Sequence, residues 1–405
     1  MKKMFLILLF FSLTKTVSQE KQKSLTRLSS FLSKAYYNFN FGLISYPYSD
    51  TNLKPGFISE SITKNRFSGR ILLGYKINNN LAIQYGVMRP ASWFSFNNIN
   101  DIGYNRSVWF NLWSLSLKKS FQLNKKLSFY SELGIGNVSR VGFEINNEII
   151  YTDAHYASLV AGLGLSYRLN KNWEALLNAT YVPKSTKHNQ PVTIQTSLGL
   201  LYNLKDKSKK VTDRYDKEAR YFFPRETLQF GFGSSNFGFF SNEFFSMSAK
   251  IGGTEGVGLP VFWLGEVKAK SAFMLTYTRT AYHTGKLFSL EWGVSISQFN
   301  TLNNTSVFAL SIFPMMRFFI YRASKFDSYI NYSIIGPTFL TKSNIDGYNT
   351  GPKITYQDFM GFGVYFGKQR KYNFELRIKH YSNGNIFPEN DGVDVPLMFT
   401  FGKSF

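Results

Sequence analysis

Apolar and polar residues alternate with a period of two along several segments of the chain. Three segments show this pattern: NWEALLNATY (172–181), KLSFYSELGIG (126–136) and TIQTSLGLLY (193–202). In each of them, large apolar residues occupy most of the alternate positions, and small or polar residues occupy most of the positions between them. This period is typical of β-strands, whose successive side chains point to opposite faces. We therefore expect many strands that each present one apolar face.

Short and long connections separate these strands in a regular order. The first half has short turns and long polar loops in alternation, with turns at 77–80, 123–126 and 168–172 and loops at about 46–65, 89–107, 138–156 and 184–192. Bacterial outer-membrane barrels have short periplasmic turns and long outer loops. The first half is thus predicted to contain eight strands, at 35–45, 66–77, 80–88, 108–122, 126–137, 157–169, 172–183 and 193–204.

The second half repeats this order. Its short turns lie at 283–286, 322–325 and 367–371, and its longer loops at about 236–260, 299–305, 340–354 and 385–393. Eight more strands are predicted, at 227–235, 261–280, 286–298, 306–321, 325–339, 355–366, 371–383 and 394–404.

A charged segment, KDKSKKVTDRYDKEARYFFPRE (205–226), separates the two halves. It is too long for a periplasmic turn, and eight strands suffice to close a barrel that side chains can fill. We predict an all-β fold of two tandem eight-stranded antiparallel transmembrane β-barrels, at 34–204 and 227–405, joined by this linker. One sixteen-stranded barrel is the alternative.

The N-terminus, MKKMFLILLFFSLTKTVSQE, predicts export. Two lysines precede an apolar run at 4–13, and small residues follow it, as in a secretory signal peptide that we place at residues 1–18. The run is shorter than the roughly 20 residues of a membrane-spanning helix, and no later run reaches that length. Export, alternation and an aromatic content of 18% together indicate the outer membrane of a Gram-negative bacterium.

Composition narrows the chemistry. The chain has no cysteine, and no two of its four histidines lie at a ligand spacing, so we expect no disulfide, metal site or cofactor. The net charge of +22 is scattered along the chain. It fits solvated loops and a polar lumen, or attraction to anionic lipid phosphates. No nucleic-acid partner is expected.

The strand predicted at 371–383 ends in an unusual polar pair. His380 and Ser382 share a face with Phe374, Leu376 and Ile378, whereas the charged residues of the strand occupy the other face. Uncompensated polar groups at a lipid-facing position cost free energy, which suggests a use. A histidine can activate a serine nucleophile when an acid orients its ring. Acids are available across the hairpin at Glu389, Asp391 and Asp394.

The string HYSNGNIFPENDGVD (380–394) resembles the active-site segment of the lipid A 3-O-deacylase family, the PagL-like outer-membrane enzymes. The resemblance rests on His-Tyr-Ser-Asn at 380–383, on Pro388, on Asn-Asp-Gly at 390–392 and on the acid Asp394. It implies an esterase of lipid A with Ser382 as nucleophile, His380 as base and Asp394 as acid. The N-terminal half resembles an OmpA-type barrel in architecture only.

Two residues are candidates for the acid. The family has Glu where this chain has Asp394, and alternation along 394–404 turns Asp394 inward unless Pro396 marks an irregularity. Asp391 is the fallback acid. The candidate oxyanion donors, which could equally be turn residues, are Asn383, Gly384 and Asn390.

Two functions therefore stay open. One is a lipid A esterase in the C-terminal barrel, with lipopolysaccharide as substrate. The other is a non-enzymatic tandem barrel that anchors or binds something at the surface. The N-terminal barrel shows no comparable site, because His155 and His188 are expected in outer loops without a partner. It could bind a partner, be a degenerate copy or form a homodimer surface.

Overall fold

The fold is known from a computed structural model. It describes residues 25–64, 66–91, 93–205, 208–217, 221–245, 250–251, 254–255 and 264–405. The predicted signal peptide at 1–18 lies outside the described residues.

The N-terminal half forms a closed eight-stranded antiparallel barrel. Each barrel strand pairs with the next one along the chain, and the last pairs with the first. The strands of the ring are β1 (Ala35–Ser45), β3 (Phe67–Lys76), β4 (Leu81–Pro90), β6 (Tyr104–Gln122), β7 (Leu127–Val141), β10 (Ala154–Arg168), β11 (Trp173–Val182) and β12 (Thr193–Asn203). Additional short strands lie in its long loops: β2 (Ser61–Thr63), β5 (Phe94–Ile99), β8 (Phe143–Ile145) and β9 (Glu148–Tyr151).

The C-terminal half forms a second closed antiparallel barrel of eight strands. Its ring consists of β13 (Glu226–Ser234), β16 (Val267–His283), β17 (Phe288–Thr301), β18 (Ser306–Arg322), β19 (Phe326–Leu340), β22 (Ile354–Phe366), β23 (Tyr372–Ser382) and β24 (Val393–Ser404). Two short hairpins, β14 (Lys250–Ile251) with β15 (Thr254–Glu255) and β20 (Asn344–Ile345) with β21 (Tyr348–Asn349), lie in its loops. Two barrels, and not one of sixteen strands, are thus present.

Helices are short in the described part of the chain. They are α1 (Lys209–Lys217), α2 (Phe240–Phe244) and the 3-10 turns Leu32–Lys34, Asp50–Asn52, Ser235–Phe237 and Lys368–Arg370. None of the helices in the described ranges is long and apolar enough to cross a membrane. Helix α1 lies in the charged segment between the barrels.

Side chains alternate between lumen and outer surface, as the sequence pattern predicts. On β12, Gln195 and Ser197 are buried in the lumen, whereas Leu198 and Leu200 are exposed on the outside. An apolar outer band over a polar interior is the pattern of a barrel in lipid.

Ion pairs and their hydrogen-bond partners fill both lumens. In the first barrel, Arg70 Nη1 lies 2.9 Å from Glu132 Oε2. In the second, Arg377 Nε donates to Glu375 Oε1 at 2.7 Å, and Lys379 Nζ donates to Ser297 Oγ at 3.2 Å. Such pairs satisfy charges that burial would otherwise make costly. The charged face of β23 is therefore a luminal network.

The long loops of the first barrel have a hydrophobic core of their own, although their sequences are largely polar. They enclose a buried aromatic cluster that includes Tyr48, Phe94, Phe96 and Tyr151. Both histidines that were expected to lack a partner have one, and only His188 lies in an outer loop as expected. His155 lies in β10, with Nδ1 3.2 Å from Ser139 Oγ, and the His188 ring stacks on Tyr156 at a centroid distance of 4.3 Å.

Candidate active site

His380 and Ser382 lie at the end of β23 that leads into the long loop 383–392. Both occupy its outward face, opposite the luminal residues Glu375 and Arg377. His380 is nevertheless only 1% exposed, whereas Ser382 is partly exposed. The two neighbouring strands, β22 and β24, and the loops at this end of the barrel surround the imidazole.

A carboxylate that the sequence analysis did not consider contacts His380. Asp358 on β22 lies directly opposite His380 in the strand register, and its Oδ1 is 3.1 Å from His380 Nδ1. Asp358 precedes His380 by more than twenty residues, beyond the hairpin in which an acid was sought. One sequence signal could have found it: Asp358 occupies the outward face of a strand whose other outward residues include Ile354 and Phe362.

Asp394 on β24 also lies beside His380, on the side opposite to Asp358. The register of β23 and β24 shifts between Arg377 and Lys379, where one extra residue of β24 is accommodated near Pro396. This bulge reverses the alternation, so that Val395 is buried with the luminal residues of this end and Asp394 pairs with His380. The irregularity suggested by Pro396 is therefore present, and Asp394 shares the outward face of His380.

The Asp394 carboxylate is bound by other partners. Its Oδ1 accepts a hydrogen bond from the Gly265 N–H at 3.0 Å, and its Oδ2 pairs with Lys268 Nζ. Asp394 itself is fully buried. Of the two carboxylates that flank the imidazole, Asp358 bonds the ring and Asp394 is held by a cation and a backbone amide.

The second ring nitrogen of His380 has no hydrogen-bond partner among the described residues. Gly392 lies next to it: a Cβ at this position would stand 2.9 Å from His380 Nε2. Gly392 also has a φ of +65°, a conformation that favours glycine. The absence of a side chain at Gly392 therefore lets the loop backbone pack closely against the buried Nε2 without crowding it.

The candidate oxyanion donors mainly hold the loop 383–392 in shape. The Asn383 N–H donates to Asn390 Oδ1 at 2.7 Å, and Asn383 Nδ2 donates to Glu389 O at 2.6 Å. Asn390 Nδ2 donates to Asn385 Oδ1. The Gly384 carbonyl accepts from Trp113 Nε1 of the first barrel at 3.2 Å. The Gly384 N–H has no partner among the described hydrogen bonds.

Asp391 ties this loop to its neighbours. Its Oδ2 accepts from the Asn349 N–H at 2.6 Å, and its carbonyl accepts from the Glu266 N–H at 2.5 Å. The carboxylate thus anchors the turn against β21. Among the described residues, no group of three or more His, Asp or Glu side chains could hold a metal ion.

Comparisons with known proteins agree with this architecture. Residues 270–403 match the family model described as Lipid A 3-O-deacylase (PagL), and residues 6–203 match the model described as Outer membrane protein beta-barrel domain. The first match includes Asp358, His380, Ser382 and Asp394. No curated protein matches the chain.

Solved structures of single barrels are also similar. The outer membrane enzyme PagL is 14% identical, with a TM-score of 0.31, and the match covers 44% of this chain and 99% of that one. The N-terminal β-barrel domain of OprF from Pseudomonas aeruginosa is 14% identical, with a TM-score of 0.28 and coverages of 42% and 96%. Ail from Yersinia pestis is 16% identical, with a TM-score of 0.29 and coverages of 42% and 98%.

These low sequence identities and TM-scores carry no argument about function. The argument about function is based on the family matches and on the site. The chain is an outer-membrane β-barrel protein of a Gram-negative bacterium, and its C-terminal barrel resembles the lipid A 3-O-deacylase family.

Proposed function

We propose that the C-terminal barrel hydrolyses the 3-O-linked acyl ester of lipid A, with Ser382 as nucleophile and His380 as general base. One observation carries the proposal. His380 is held at Nδ1 by Asp358 and is unpaired at Nε2, on the same strand face as Ser382. A histidine fixed at one nitrogen and free at the other is suited to take a proton from a serine. The family match of residues 270–403 supports lipid A as the substrate.

The reaction follows the general course of serine esterases. Ser382 Oγ attacks the ester carbonyl carbon while His380 Nε2 takes the hydroxyl proton. The tetrahedral intermediate then collapses: the sugar oxygen leaves with that proton, and an acyl-serine remains. Water, deprotonated by Nε2, attacks the acyl-serine and releases the fatty acid and free Ser382.

The hydrogen bond between Ser382 and His380 is not formed in the described structure, since Nε2 is unpaired. Such bonds are often long or absent before substrate binds, so its absence is compatible with the mechanism. The negative carboxylate of Asp358 is suited to keep the Nδ1 proton in place and to stabilise the imidazolium that forms. The Gly384 N–H is the oxyanion donor that the loop leaves available.

The position of the site suits a lipid substrate. Ser382 faces outward near the long-loop end, which corresponds to the outer leaflet if the long loops face the exterior. Lipid A occupies that leaflet and can reach an outward-facing site by lateral diffusion. Side chains such as Arg377 and Glu375 fill the lumen. A lipid does not need to pass through it, because Ser382 lies on the outward face.

Mass spectrometry of lipid A tests the proposal directly. Lipid A should be isolated from cells that lack the protein, that produce it and that produce the Ser382→Ala variant. We expect a species that has lost one 3-O-linked acyl chain only in cells with the unmodified protein. If lipid A is the same in all three and the protein is folded, the non-enzymatic anchor or binding protein becomes the better interpretation.

Gly392→Ala should strongly reduce deacylation, because the added methyl group would stand 2.9 Å from His380 Nε2. Gly347→Ala provides a matched control. Gly347 also has a positive φ, of +90°, but a Cβ added there would have no other atom within 4 Å. Rates measured for the two purified variants separate crowding of the imidazole from backbone strain. Equal losses in both would contradict the role of Gly392.

A further inference from the structure

The two barrels contact each other beside the candidate active site. Trp113 on β6 donates from Nε1 to the Gly384 carbonyl at 3.2 Å, and Asn137 on β7 donates from Nδ2 to the Ile386 carbonyl. Both acceptors lie in the loop that begins directly after Ser382. The loop 383–392 is thus held partly by side chains of the N-terminal barrel.

These donors occupy positions that would otherwise face lipid. Further along the same outward faces, Leu115 is 52% exposed and Ile135 is 67% exposed, as expected of side chains in contact with hydrocarbon. Towards the long-loop end the exposure falls sharply: Asn111 and Ser139, which pair across β6 and β7, are 8% and 1% exposed. This end of the outward face is therefore covered by protein.

Polar side chains on that face are explained by the contact. An amide that faces hydrocarbon without a partner is costly, because lipid offers no hydrogen bonds. The Asn137 amide has a hydrogen-bond acceptor in the Ile386 carbonyl. The indole N–H of Trp113 has one in the Gly384 carbonyl.

A third side chain of the N-terminal barrel lies near the immediate neighbour of the nucleophile. Tyr85 on β4 stacks on Trp113 at a centroid distance of 5.9 Å and lies near Tyr356. Tyr356 lies opposite Ser382 in the register of β22 and β23. Residues opposite one another on adjacent strands have Cβ atoms about 5 Å apart, so Tyr356 adjoins Ser382.

We propose that Tyr85, Trp113 and Asn137, here called the inter-barrel face, form the second wall of the site and position the loop that follows Ser382. The proposal rests on the proposed esterase function and assigns the N-terminal barrel a part in it. Trp113 and Asn137 are positioning residues, because they bind backbone carbonyls next to the candidate oxyanion donor and touch no reacting atom. Tyr85 and Trp113 add an aromatic surface that suits an acyl chain.

Substitutions in the inter-barrel face should lower kcat more than they change KM. Trp113→Phe removes the indole N–H and keeps an aromatic wall, while Asn137→Leu removes the amide donor at similar size. Displacing a reacting geometry by about 1 Å can cost up to about a hundredfold in rate. We expect the full-length double variant to lose at least about tenfold in kcat, with KM changed much less. The Trp113→Phe/Asn137→Gln variant, which keeps an amide donor, should lose less.

Trp173→Phe is the matched control. Trp173 is another outward tryptophan of the same barrel, but it lies on β11 next to the short turn at the opposite end. Its replacement should leave kcat unchanged. A wild-type kcat in the folded Trp113→Phe/Asn137→Leu double variant would overturn the proposal.

A cross-link tests the contact without any assay of activity. The chain has no cysteine, so the pair Asn137→Cys and Ile386→Cys can be joined selectively by a short bis-maleimide in native membranes. Trypsin should cut the linker, which is rich in lysine and arginine. Cross-linked barrels should then stay together on a denaturing gel. In the control variant with Trp173→Cys and Ile386→Cys, the two barrels should separate.

The outcomes distinguish the two proposals. If wild-type protein deacylates lipid A but the first pair does not cross-link, the inter-barrel face is wrong and the esterase function stands. If wild-type protein leaves lipid A intact, the esterase function fails, and the role assigned to the inter-barrel face fails with it, whether or not the cross-link forms.

Discussion

Ser382→Ala should lower the rate of lipid A deacylation by about ten-thousandfold or more, because no other group replaces the nucleophile. His380→Ala should lower the rate nearly as much, because a nucleophile and its base act as a unit. Both side chains lie on the outward face of β23, away from the luminal ion pairs. The barrel should therefore stay folded, which heat-modifiable migration on a gel reports. Rates are measured with purified lipid A in detergent.

Ser328→Ala is a suitable control for the serine. Ser328 is a partly exposed residue on the outward side of β19 near the short-turn end of the same barrel. Its replacement should leave the rate unchanged. A folded Ser382→Ala protein with substantial activity would rule out Ser382 as the nucleophile.

Asp358→Asn should lower kcat by about ten-thousandfold while KM changes little. The amide would retain the size of the side chain but could no longer stabilise the imidazolium, and it would disturb the Nδ1 tautomer, as loss of the acid does in triads generally. The 3.1 Å contact with His380 is the basis for this expectation. Single-turnover rates isolate the chemical step.

Asp394→Asn should have a smaller effect, because the Asp394 carboxylate is already engaged by Lys268 and by the Gly265 amide. Asp391→Asn should be milder still, since Asp391 anchors the turn through Asn349. Asp358→Glu serves as the conservative control that keeps a carboxylate. If Asp394→Asn proves the more damaging change, the acid is Asp394, as the family resemblance implies.

The N-terminal barrel illustrates why function was harder to predict for one half than for the other. Its sequence contains no string like HYSN, so binding of a partner, degeneration and dimerisation all stayed open. The contacts of Trp113 and Asn137 with Gly384 and Ile386 connect residues about 250 positions apart. The homodimer considered from the sequence stays a prediction.

Sequence alone determined the class of fold and the location of the candidate nucleophile. A period of two is a local property of each strand, and turn lengths are local too, so both barrels and nearly all strand positions follow from them. The largest displacement is at β16, predicted from 261 and observed from Val267; residues 261–263 of that prediction lie outside the described residues. The placement of His380 and Ser382 on one face is equally local, because residues two apart in a strand share a face.

Tertiary structure decided which groups surround that pair. A barrel strand has two lateral neighbours, and for His380 these bring Asp358 from β22 and Asp394 from β24. Strand periodicity by itself turned Asp394 into the lumen; the extra residue near Pro396 turns it out again. The contact with the first barrel is equally non-local, since hydrogen bonds from Trp113 and Asn137 depend on how two closed surfaces meet. Register shifts and packing between distant segments are set by the whole fold, and no local pattern specifies them.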